Sequence, residues 1–137
     1  MELENELIDW TVFTESRNAL GPDFVRILGY FREDGTQSVA QIETAMRNGD
    51  AAGIVMPAHT LKGESAQFGA VQLSSAAENI EMTARKCVDY HQGPDELLEA
   101  IVALRPMFEE TLAELDRESS PVVHRESNGF GNRASGF

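Results

Sequence analysis

The chain has 137 residues, enough for a single domain with a buried core. It carries 23 acidic against 11 basic side chains, a net charge of −12 that falls wholly within residues 1–117. Nucleic acid phosphates and anionic membrane surfaces would both repel such a chain, so neither is expected as a partner. One cysteine, Cys87, excludes an internal disulfide framework and a cysteine-based zinc site. No apolar run approaches the roughly 20 residues that span a bilayer, and the acidic start MELENELIDW is the reverse of a signal peptide, so a cytoplasmic protein is expected.

In chain order, Leu3 to Leu20 reads as a weak helix anchored by Leu7, Trp10 and Phe13. Gly21-Pro22 then opens a second helix, since proline fits a first helical turn, and Phe24, Val25, Ile27, Leu28 and Phe31 follow. Asp34-Gly35-Thr36 reads as a break that caps a third helix with Val39, Ile42 and Met46. Asn48-Gly49 closes that helix, and Asp50 is the expected N-cap of a fourth, which Gly69 ends. Leu73, Ala77, Ile80, Ala84 and Cys87 mark a fifth. After the polar loop Asp89 to Gly93, Pro94 begins the last, with Leu97, Ile101, Leu104, Phe108, Leu112 and Leu115, and Pro106 should kink it.

The expected architecture is all-α: an antiparallel up-down four-helix bundle with two additional N-terminal helices as a cover. It occupies residues 1–117. Residues 118–137 lack periodicity, are rich in Gly, Ser and Asn, and read as a disordered tail.

The fourth helix carries the sequence AHTLKGESAQFGA. At about 100° per residue with His59 at zero, Ile54, Ala58, Leu61, Ser65 and Phe68 cluster at roughly −140°, the core stripe. His59 points away from it, beside Ala52, Val55, Met56, Lys62, Gly63 and Ala66. Gly63 weakens the helix there by roughly 1 kcal/mol relative to alanine, which an indifferent surface position does not explain. Exposed Val55 and Met56 beside a histidine suggest a docking surface.

His59-Thr60-Leu61-Lys62-Gly63 with Gly69 resembles the histidine phosphotransfer (HPt) domain motif, His-x-x-Lys-Gly with a further Gly ten residues after the His. The resemblance runs from about Asp9 to Leu115 and takes in GPDF, the RNGD turn and Asn79-Ile80-Glu81. It implies a four-helix bundle presenting one phosphorylatable histidine to the aspartate-bearing receiver domains of two-component relays. His59 would be the phosphoacceptor, on Nε2. Lys62, one turn on, would offset charge on the phosphoryl group. Gly63 would give clearance to the partner's loops, with Val55, Met56 and Ala66 completing the docking surface.

Partners implied are receiver domains or a hybrid sensor kinase, with the chain a monomer. No metal or other cofactor is implied for it, since Mg²⁺ belongs to the receiver. Without a glycine-rich ATP lid or Walker loop, it is expected to be a carrier and not a kinase. A non-phosphorylated helical adaptor using the same patch is the alternative. Glu81 reads first as an ordinary solvated acid, with orientation of the His59 Nδ1–H as its other reading. Glu64, where the family often has a small Ser, and Pro57, inside the helix, have no assigned role; a kink or a helix start is expected near Pro57.

Overall fold

The computed structural model describes residues 6–119, and all regular structure among them is helical. A short helix α1 (Trp10–Leu20) precedes four long ones: α2 (Phe24–Arg47), α3 (Ala51–Gln67), α4 (Val71–Asp89) and α5 (Leu98–Ser119). Single 3₁₀ turns, Gly21–Asp23 and Asp95–Leu97, lead into α2 and α5. The long helices close a ring of contacts, with α2 and α4 each packed against both α3 and α5. Helix α1 lies against α2 and α3.

Two expectations are corrected at the N-terminal end. Residues 6–9 are not helical, and α1 starts at Trp10 because Asp9 caps it, accepting from the amides of Thr11 at 3.0 Å and Val12 at 3.4 Å. The proposed start at Leu3 lies outside the described residues. The second correction is larger: there is no break at Asp34-Gly35-Thr36, and the two helices expected on either side are one 24-residue helix, α2. Thr36 bonds back to the carbonyl of Arg32 at 2.7 Å instead of capping. Gly35 is buried, and a Cβ there would stand 2.5 Å from Cε1 of Phe108. The glycine permits close approach of α5 and does not end the helix.

The core is threaded by phenylalanines. Phe13 meets Phe24 (ring centroids 5.4 Å apart), Phe24 meets Phe68 (5.7 Å), and Phe68 meets Phe31 (5.4 Å), which meets Phe108 (6.0 Å). This chain ties α1, α2, the end of α3 and α5 into one apolar unit. Outside it, Arg105 grips Glu43 with two hydrogen bonds of 3.0 and 2.8 Å, and Arg32 pairs with Asp116, both linking α2 to α5.

Gly69 fixes α1 relative to α3. Its φ of +78° suits only glycine without strain, its carbonyl accepts from the Asp9 amide at 2.7 Å, and a Cβ would come within 2.6 Å of the Asp9 carbonyl oxygen. Helices α3 and α5 each continue through an internal proline, Pro57 and Pro106. Pro57 is the seventh residue of α3, well past the helix start, and the Gly53 carbonyl four residues back gets no amide from it.

Helix α5 runs to Ser119, two residues beyond the boundary expected at 117; the rest of the tail lies outside the described residues. Among the described residues, no helix is long and apolar enough to cross a membrane.

Candidate functional site

Helix α3 begins where Asp50 accepts from the Gly53 amide at 3.0 Å. All five residues of its expected core stripe, Ile54, Ala58, Leu61, Ser65 and Phe68, are buried. That stripe orients the opposite face outward: the His59 side chain is 51 % exposed, Met56, Gly63 and Ala66 are exposed, and Lys62 is half-buried. Val55 is shared between surface and core, packing on the core while lining a shallow cleft of about 240 Å³ with Ala52, Arg85, Val88 and Asp89.

Helix α4 runs beside α3 in the opposite sense, with Ser74 opposite Lys62 and Glu81 opposite His59. The Ser74 hydroxyl donates to the Lys62 carbonyl at 3.1 Å and pins this register. Glu81 is the centre of the site, and the expectation of an ordinary solvated acid is wrong. Its side chain is only 4 % exposed, because the core residues Ile80, Ala77 and Ala84 of the same helix draw that face inward. Glu81 Oε2 accepts from His59 Nδ1 at 3.0 Å and from Arg85 Nε and Nη2 at 3.0 and 2.9 Å. Lys62 Nζ lies 2.9 Å from Oε1 as an ion pair.

Burial alone would push this carboxyl up; Lys62, Arg85 and His59 together outweigh it and hold it at about 2. Glu81 is therefore an anion at neutral pH. An anion facing Nδ1 makes that nitrogen the proton-bearing one and leaves Nε2 with the free lone pair. A half-exposed ring with its nucleophilic nitrogen defined, an ammonium one turn away and a side-chain-free position at Gly63 is an arrangement suited to in-line group transfer. A Cβ on Gly63 would meet nothing within 4 Å, so the fold itself does not require glycine there.

Glu64 lies on the side of α3 that faces α2. It is half-buried next to Asp34 of α2, and burial, reinforced by the Asp34 carboxyl, raises it to about 7. Sequence reasoning missed Arg85. Its signal was the four-residue spacing from Glu81, which places both on one face of α4; that this face meets His59 needed the register of α3 against α4.

The Hpt domain family profile matches residues 26–118, about two thirds of the chain. The chain belongs to the Hpt domain family, and phosphotransfer in two-component signalling is the role that membership carries. The solved structure of histidine-containing phosphotransfer protein B (HptB) from Pseudomonas aeruginosa PAO1 is similar in fold, with a TM-score of 0.70 and 23 % sequence identity over 82 % of this chain and 93 % of that one. A comparison with curated protein sequences gives no significant match.

Proposed function

We propose that His59 accepts a phosphoryl group on Nε2 from a receiver-domain aspartate or a sensor kinase and passes it to another receiver domain. One observation carries this reading: the Glu81 carboxylate occupies Nδ1 at 3.0 Å while the ring stays half exposed. In the forward step the Nε2 lone pair attacks phosphorus, the P–O bond to the donor aspartate breaks, and its electrons leave with the carboxylate. Nδ1 keeps its proton throughout, so the cationic phosphoimidazole sits against an anion.

Lys62 neutralises charge on the phosphoryl oxygens, and Gly63 leaves room for the receiver's loops. Val55, Met56 and Ala66 are the apolar contacts around them. The chain works as a monomeric antiparallel bundle of α2 to α5, without turnover or a metal of its own; Mg²⁺ is the receiver's. Incubation with a phosphorylated receiver domain should label the wild type and leave His59→Gln unlabelled. Normal partner binding and signalling by His59→Gln would favour a non-phosphorylated adaptor instead.

A further inference from the structure

We propose that Arg85 is a positioning residue for phosphotransfer: it keeps Glu81 against His59 while Lys62 leaves Glu81 for the arriving phosphoryl group. The inference rests on the reading of His59 as the phosphoacceptor.

At rest Lys62 is already committed, 2.9 Å from Glu81 Oε1. Phosphorylation puts a second anion, of close to two negative charges, one helical turn from the same ammonium. The two anions then compete for Lys62. If Lys62 and His59 were the only partners of Glu81, the move would strip a buried carboxylate down to one, which is strongly disfavoured. Lys62 would be held back.

Arg85 changes this balance. It lies four residues after Glu81 on α4 and sends both Nε and Nη2 to Oε2, the oxygen that also takes His59 Nδ1. Lys62 uses the other oxygen. The division of labour is geometric: Oε1 can lose its cation while Oε2 keeps three donor contacts. A guanidinium suits this task because it is always charged and its planar fork fixes the direction of the carboxylate. With Oε2 held, the Nδ1–H contact survives the partner change. On the return step a carboxylate oxygen of the receiver's aspartate bonds to phosphorus as the P–N bond breaks with its electrons going back to Nε2, and the leaving group is neutral imidazole, not imidazolate.

A double-mutant cycle tests this, using phosphoramidate as donor so that no docking partner enters. In that reaction the donor's own P–N bond breaks, ammonia leaves, and the new bond forms to His59 Nε2. Phosphorylation rates of the wild type, Arg85→Ala, Lys62→Ala and the double variant are followed by gel mobility. Arg85→Ala should slow the wild type about tenfold but the Lys62→Ala protein only about threefold, because the hold on Glu81 is lost in both backgrounds whereas the part that runs through release of Lys62 is absent from the second. Arg85→Lys, which keeps the charge but not the fork, should fall between wild type and Arg85→Ala, and replaces it in the cycle should the alanine variant fail to fold. An equal slowing in both backgrounds, or none in the wild type, overturns the proposal. Label on His59→Gln would instead condemn the phosphoacceptor assignment itself.

Discussion

Replacing Glu81 by glutamine keeps the shape of the side chain and removes its charge. In the folded protein this carboxyl is held at about 2 against an ordinary value of 4.5. At about 1.36 kcal/mol for each tenfold in proton affinity, that gap amounts to roughly 3 kcal/mol of stabilisation. His59 and Arg85 are both half exposed, and solvent screening of these partners reduces the figure to about 1–2 kcal/mol.

The sign follows from the direction. A carboxyl held below its unfolded value stabilises the fold above that value, and the stabilisation is lost as pH falls from about 4.5 toward 2. Glu81→Gln should therefore lower the unfolding free energy by about 1–2 kcal/mol at pH 7 and by less than half as much at about pH 3. Urea titrations of both proteins at the two pH values read this directly, since every other titrating group cancels in the difference. A destabilisation equal at both pH values, or larger in acid, would refute the claim that the cation cluster acts on the Glu81 charge.

Glu64 behaves in the opposite sense. Burial next to Asp34 raises it, so ionisation works against the fold as pH climbs from about 4.5 through about 7. Glu64→Gln should be more stable than wild type by about 1 kcal/mol at pH 8 and show no advantage at pH 4.5; equal curves at both would contradict the shift. Gly35→Ala drives a methyl to 2.5 Å from the Phe108 ring, and overpacking of about 1–3 kcal/mol, less about 1 kcal/mol gained in helix propensity, predicts a net loss near 1 kcal/mol in thermal or urea unfolding. A Cβ at Gly63 meets nothing within 4 Å, and glutamine is a better helix former than glycine, so the unfolding midpoint of Gly63→Gln should not fall, while binding to a phosphorylated receiver domain should be lost; unchanged binding would remove Gly63 from the docking surface.

Much of this was legible in the sequence because the signals are local. The four-three spacing of Ile54, Ala58, Leu61, Ser65 and Phe68 fixes which way α3 faces, and it leaves His59 outward. Asp50 and Gly69 act where a cap and a helix end were expected. Gly35 misled because glycine marks both helix breaks and close helix contacts, and only the position of Phe108, 73 residues later in the sequence, distinguishes them. Glu81 misled for a related reason. A glutamate on a helix is usually solvated, whereas this buried one is kept ionised by two residues of α3 and one of α4 converging on it. Such an arrangement is a property of register between helices, which periodicity within one helix does not encode.

The central claim concerns one nitrogen atom. Nitrogen-15 NMR of histidine-labelled protein after phosphotransfer reports which ring nitrogen, of which histidine, is bonded to phosphorus. The account predicts phosphorus coupling at Nε2 of His59, a proton retained on Nδ1, and no phosphohistidine signal in His59→Gln. Coupling at Nδ1, or at His91 or His124 in the wild type, would contradict it.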